Sequence, residues 1–202
     1  MAMNLRKQSL GEEHPDYALS LNNLAGYYSN LGDYRKAVEF GTQAMNICKQ
    51  TLEENHPGYA TSLSNLASYY CDLGEYNKAI ESSLEGIKNT IDTKLLASLY
   101  DNLGTAYYLN GDKEKAIESL NHALENDMNN VQARYNLGVY SYEMGLQGQA
   151  LRAFKLVTSN PNSNNTDYLP AAYAYLGEIQ RLQGCYKEGE ENFLKSIQLH
   201  PS

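Results

Sequence analysis

Apolar and aromatic residues recur at helical spacing along nearly the whole chain, and the pattern itself repeats. The segments LNNLAGYYSNLGDYRKA, LSNLASYYCDLGEYNKA, YDNLGTAYYLNGDKEKA, RYNLGVYSYEMGLQGQA and YAYLGEIQRLQGCYKEG align on a Leu followed by Ala or Gly. The aligned residues Leu24, Leu66, Leu103, Leu137 and Leu176 lie 42, 37, 34 and 39 residues apart. An apolar or aromatic position three before the Leu, a small residue one after it and an apolar or Tyr position four after it predict one buried stripe on a helix A. A glycine follows in every unit (Gly32, Gly74, Gly111, Gly145, Gly184), where a helix stops in a left-handed residue. A second helix, B, opens on an acidic or polar residue and carries Ala37, Ala79, Ala116, Ala150 and Gly189 where it must approach helix A. Connectors with Pro or Asn close the units, so the His-Pro pairs at His14 and His56 read as turns rather than metal ligands.

The expected fold is all-α, a right-handed α-solenoid of helical hairpins forming one array over 1–202. Its repeats are placed at 18–57, 60–92, 97–130, 131–163 and 167–202. A truncated half-repeat at 2–15 precedes them, because AMNLRKQSLGEEHPDYALSLNNLA at Ala2 returns as AMNICKQTLEENHPGYATSLSNLA at Ala44. Repeats bury their faces only against neighbours, so unpaired ends are expected to expose apolar surface. The array therefore reads as a piece of a longer one, or as a chain whose ends meet partners or copies of itself.

These residues resemble the tetratricopeptide repeat family. Leu137, Gly138, Ala150, Phe154 and Pro161 match its pattern in the fourth unit, and Tyr173, Leu176, Gly177, Phe193 and Pro201 match it in the fifth. The first two units, with their 42-residue period, are similar to the longer repeats of kinesin light chain. Departures stand at Gly41 and Ser83, where helix B usually has an aromatic residue, and at Val157 and Ser196, where it usually has Ala. The resemblance implies a protein-interaction module.

Composition narrows the partners. With 42% hydrophobic residues and no long apolar run, the chain has a core but no membrane span. Sixteen basic against twenty-four acidic residues give a net charge of −8, spread evenly, which opposes binding to nucleic acid or to an acidic membrane. Cys48, Cys71 and Cys185 form no CxxC pair, so neither a disulfide framework nor a zinc site is expected, and a reducing, cytoplasmic setting fits. The N-terminal residues lack the apolar core of a signal peptide, and the sequon Asn164-Asn165-Thr166 reads as chance.

Catalytic patterns are not expected either. The glycines stand one repeat apart rather than as GxGxxG or GxxxxGK[ST], His122 and His200 have no partner, and Glu190-Glu191 lies on a solvated face. Cys71 faces the groove without a basic neighbour in its helix and reads as inert. The chain is taken as a non-enzyme without cofactor or metal.

Binding is instead expected on the A helices. With the aligned Leu as position seven, positions two, five, six, nine, twelve and thirteen face away from the stripe. Position six carries Asn23, Asn65, Asn102 and Asn136, then Tyr175. Asn costs a helix interior up to about 0.7 kcal/mol relative to Ala, so its recurrence calls for a role. One role is to meet the amides of an extended peptide lying along the groove, as the resemblance to kinesin light chain and O-GlcNAc transferase implies. Another is to bond neighbouring helices. Tyr108 and Tyr142 at position twelve, Tyr135 at five and Tyr175 at six are the expected side-chain anchors, whereas Tyr28, Tyr70 and Tyr107 at position eleven are expected in the core. The first three A helices carry no basic residue, the last two carry Arg134 and Arg181, and Asp72, Asp101, Glu143 and Glu178 make the surface acidic. A two-carboxylate clamp is therefore not expected, nor the acidic cargo of kinesin light chain. The predicted partner is a neutral or basic peptide segment of a protein. The alternatives are a structural spacer that assembles through its ends and convex face, or a targeting portion of a larger enzyme.

Overall fold

In the computed structural model, residues 14–51, 56–159 and 166–199 are described. The half-repeat at 2–15, but for His14 and Pro15, lies outside them, as do Pro161, the Asn164-Asn165 pair, His200 and Pro201. Among the described residues there are ten α-helices, one short 3₁₀ turn (Thr166–Tyr168) and no strands. Three hairpins, α1 (Pro15–Asn30) with α2 (Tyr34–Thr51), α3 (Pro57–Leu73) with α4 (Tyr76–Lys88), and α5 (Thr93–Leu109) with α6 (Lys113–Asn126), belong to one compact unit, Met1–Asp127. Two more, α7 (Val131–Glu143) with α8 (Gln147–Thr158) and α9 (Leu169–Leu182) with α10 (Tyr186–Leu199), belong to a second, Met128–Ser202. The five hairpins thus divide between two units. Within each unit every B helix packs on its own A helix and on the A helix that follows it, and in the first unit α3 also touches α1 and α5.

Each hairpin turns the same way. Gly32, Gly74, Gly111, Gly145 and Gly184 all have positive φ, between 75° and 93°. At Gly74 the glycine N–H donates to the Cys71 carbonyl (3.0 Å) and the Glu75 N–H to the Tyr70 carbonyl (2.8 Å), which closes the end of α3. The helix starts are less regular. Alpha-1 and α3 begin at Pro15 and Pro57, three residues before the repeats predicted from sequence, because the preceding histidine is itself the cap. The Nδ1 of His14 accepts from the Asp16 N–H (3.1 Å) and that of His56 from the Gly58 N–H (3.0 Å). Alpha-5 likewise starts early, capped by Asp92, whose carboxylate accepts from the Leu95 N–H (3.0 Å). This brings Lys94 into its first turn, so the first three A helices are not wholly without a basic residue.

The buried stripe is also shifted. Position ten, three after the aligned Leu, points into the core at Tyr69, Ala106, Tyr140 and Ile179. Position eleven is half-buried at Tyr28, Tyr70 and Tyr107, and in the last two units it is not aromatic but Ser141 and Gln180. The position three before the Leu is apolar or aromatic except in α7, where it is Arg134, whose guanidinium donates to the Met128 carbonyl.

The tyrosines at position eleven belong to a clasp that recurs in the first three hairpins. Lys36 lies over the Tyr28 ring (4.8 Å), Lys78 over Tyr70 (5.5 Å) and Lys115 over Tyr107 (5.3 Å). Each ammonium also pairs with the acidic residue that opens helix B: Lys36 with Asp33 (2.9 Å), Lys78 with Glu75 (2.5 Å) and Lys115 with Asp112 (2.6 Å). The spacing Tyr-x₃-Gly-Asp/Glu-x-x-Lys was visible in the sequence and is absent from the last two hairpins. Bulk is exchanged between the helices as well. A Cβ on Gly138 would stand 2.7 Å from Phe154, so a glycine on helix A makes room for a B-helix aromatic. Where that aromatic is replaced by Gly41, Leu66 and Tyr69 of the next A helix occupy the space, at 3.1 and 3.3 Å from where its Cβ would be.

Two measurements check this account. A Cβ added at Gly111 meets nothing within 4 Å, so Gly111→Ala carries only backbone strain. It should cost about 1–2 kcal/mol in urea denaturation, and Gly111→Asn clearly less, because Asn tolerates the left-handed region. The second concerns the clasp. Its hydrogen bond to Lys115 holds the Asp112 carboxyl below the usual range, and the same bond raises Lys115. The stability difference between wild type and Asp112→Asn should therefore be flat near neutral pH. It should disappear as pH falls through the depressed carboxyl value, below about 4, and as pH rises through the raised lysine value, above about 10.4.

Candidate peptide-binding surface

The A helices present their position-six residues away from the core in both units, with different environments. Asn23 on α1 is exposed and Asn65 on α3 half-buried; neither makes a hydrogen bond among the described residues. Asn102 on α5 does. Its Nδ2 donates to the Ser64 carbonyl (2.9 Å) and Oγ (3.2 Å) of α3, tying two A helices side by side. A comparable tie joins α1 to α3 one position earlier, where the Asn22 Nδ2 donates to the Ser62 Oγ (2.9 Å). Asn136 on α7 is half-buried and engaged in the fold. The ladder therefore mixes amides spent on packing with amides left toward solvent.

The surface of the first unit is polar. Asp101, expected to make it acidic, is instead buried, at 3% exposure, and burial pushes the Asp72 carboxyl upward, partly offset by the Ser29 hydroxyl, which donates to its Oδ2 (3.5 Å). Burial, reinforced by the charges of Asp72 and Asp101, pushes the Cys71 thiol up to about 12, so at neutral pH it is not a nucleophile. Tyr108 is half-buried, with Lys113 over its ring at 5.9 Å.

In the second unit the aromatic residues come together. Tyr175 stacks on Phe154 of α8 with ring centroids 4.8 Å apart and planes 4° from parallel. Tyr142 meets Tyr175 edge-on at 5.3 Å, and Tyr135 lies 6.5 Å from Tyr175 and 5.0 Å from Tyr168. Tyr135 is partly absorbed into the core, while Tyr142 and Tyr175 form the wall of an open, almost wholly apolar recess of about 330 Å³. Ala171, Ala174 and Phe193 complete it, with Glu178 at its edge. Position twelve of α7 and positions two, five, six and nine of α9 thus converge on one concavity. Ala171, Ala174 and Phe193 were not among the expected site residues; positions two and five were expected on this face, whereas Phe193 comes from helix B. The Glu178 carboxylate is held by Arg181 through two bonds (2.8 and 2.7 Å), which lower its pKa.

Comparison with known proteins identifies the family and the fold. A family model described as Tetratricopeptide repeat matches residues 1–50 and 31–89, and one described as TPR repeat matches 104–145. The chain belongs to the tetratricopeptide repeat family. Among solved structures, the TPR-like repeats of a putative kinesin light chain from Podosopora anserina are 21% identical, with TM-score 0.73 over 94% of this chain and 99% of that one. MamA is 24% identical, with TM-score 0.67 over 87% and 93%. YrrB, described as a TPR protein with an unusual peptide-binding site, is 19% identical, with TM-score 0.61 over 100% and 94%. At these identities the likeness is one of fold. No curated protein sequence matches the chain.

The two kinds of asparagine separate in stability. Asn65→Ala should leave this tetratricopeptide repeat protein unchanged or up to about 0.7 kcal/mol more stable, since Ala is the better helix former. Asn102→Ala forfeits a bond between helices and should come out less stable than Asn65→Ala by about 0.5–1.5 kcal/mol in matched urea titrations.

Proposed function

We propose that this protein is a non-catalytic interaction scaffold that binds an extended, neutral or basic segment of a partner protein on the concave faces of its A helices. The observation that carries the reading is the apolar recess between Tyr142 and Tyr175. Half-buried aromatic walls over an alanine floor leave apolar area that gains by covering, and a single side chain fits there. Asn65 offers a donor and an acceptor to a ligand main chain, with Asn23 beside it in sequence register and Asn136 in the second unit as further candidates. In this reading Asn102 sets the spacing of the A helices more than it holds ligand. Tyr108 and Tyr135 are secondary anchors, the first already under a lysine and the second packed on Phe154 (6.0 Å).

Acidic groups on these faces favour a neutral or basic ligand over nucleic acid or an anionic membrane, and no described helix is long and apolar enough to cross a membrane. A cytoplasmic setting belongs to the same proposal and is supported by three unpaired cysteines. A second reading, self-association through an end of the array, is favoured by the last helix, where Leu194 and Ile197 are 51% and 65% exposed.

Panning a random peptide-display library on the whole chain tests the first reading. Ala171→Phe fills the recess without removing any aromatic stack, and Asn65→Ala removes the open amide. Peptides that dock on the second unit should lose roughly ten-fold or more in affinity with Ala171→Phe, and peptides that dock on the first unit a few-fold with Asn65→Ala. Peptides that bind both variants like wild type, in a protein whose circular dichroism is unchanged, would place binding elsewhere.

A further inference from the structure

The charge around the recess is uneven, and the imbalance defines its ligand further. Two carboxylates stand near it, Glu178 at its edge and Glu143 next to Tyr142 on α7. Glu178 is already neutralised by the two-bond pair with Arg181. Glu143 is exposed, has no ion pair among the described residues, and is close enough to Tyr175 to disfavour its ionisation, adding to the larger effect of burial. It is also the last residue of α7, where the aligned peptide dipoles put further negative potential and a cation is stabilised. The recess itself is a poor place for a charge. Its lining is almost entirely apolar, and the Arg181 guanidinium stands beside Glu178 on the same helix.

We infer that the recess takes an uncharged aliphatic or aromatic side chain of an extended partner segment, and that a lysine or arginine next to that side chain pairs with Glu143. This deepens the peptide-binding reading and rests on it. The two contacts do different work. The apolar side chain supplies most of the affinity, by covering Tyr142, Tyr175 and Phe193. The basic neighbour supplies register, because a carboxylate at one edge of the recess accepts a cation on one side of the anchor only. An acidic residue at the same place would meet Glu143 and the C-terminal end of α7 together, so acidic segments are rejected.

Directed peptide pools test this on the intact chain. Nine-residue peptides with Leu fixed at the centre and every flanking position drawn from Lys, Glu and Ser form the first pool; the second has Ala at the centre. Both are sorted against wild type, Glu143→Lys and Ala171→Phe. The Leu pool should enrich on wild type roughly ten-fold more than the Ala pool, and that advantage should be lost on Ala171→Phe. Lys should exceed Glu by about three-fold or more at one flanking position on wild type, with the preference reversed on Glu143→Lys. Glu143 is exposed and unpaired, so this variant leaves the hairpin intact. Enrichment of Leu peptides without a Lys preference, or with the same preference on Glu143→Lys, would overturn the pairing while leaving the recess as a binding site. Absence of any difference between the Leu and Ala pools would overturn both this inference and the recess reading beneath it.

Discussion

Two helices of a hairpin share a core only where their backbones approach closely, and that approach fixes what every other face of each helix is left to do. A Cβ on Gly177 would stand 3.0 Å from the Gly189 carbonyl oxygen of the partner helix, and one on Gly104 would stand 3.1 Å from that of Ala116. At such crossings nothing larger than the native residue fits without moving backbone. The small residue after the aligned Leu is therefore the pivot of the A helix. Once it is set against helix B, the 100° step of the helix sends position ten inward in every hairpin but the first, where Tyr27 is exposed, leaves position eleven at the seam and turns positions six, nine and twelve outward. The glycine turn then reverses the chain with identical hydrogen bonding in hairpin after hairpin, so neighbouring units inherit the same orientation within their unit.

Because those constraints are local, the fold was largely legible. The leucine, the small residue and the turn glycine recur at recognisable spacing, and their roles follow from size and backbone conformation alone. What the repeat pattern concealed were features in which a side chain acts out of type. His14 and His56 are helix caps, with a ring nitrogen in the place usually taken by a Ser or Asp oxygen, so the helices start earlier than a Pro-marked turn implies. Lys94 falls between the repeats expected at 60–92 and 97–130, whereas α5 starts at Thr93, capped by Asp92. Gly41 and Ser83 depart from the aromatic residue usual at that site, and at Gly41 the volume comes from Leu66 and Tyr69 of the next helix. A pattern aligned repeat by repeat does not show an exchange that crosses from one repeat to the next.

The candidate site was legible in its location and less so in its chemistry. Helical geometry alone brought Tyr142 and Tyr175 to one surface with Ala171 and Ala174. Sequence could not decide how each asparagine spends its amide, since Asn65 and Asn102 occupy the same helix position. The difference lies one helix away. Asn102 finds the Ser64 carbonyl and hydroxyl within reach, whereas Asn65 makes no such bond. Recurrence at a position thus identified a face, and only the neighbouring backbone identified a role.

The two units use the same amino acid for opposite ends, and the switch is a matter of one residue's rotation. In the first three hairpins the tyrosines at position eleven lie at the seam beneath a lysine, so their rings are spent on the hairpin. In the last two hairpins position eleven is Ser141 and Gln180, and the acidic cap and lysine are missing together with the tyrosine. Tyr175 at position six and Tyr142 at position twelve instead wall a recess, while Tyr135 at position five packs toward the core. The first unit holds its hairpins through charge over aromatic rings and offers polar groups outward. The second gives up that clasp, stacks Tyr175 on Phe154 for part of the lost packing, and leaves apolar surface open where a partner's side chain would cover it.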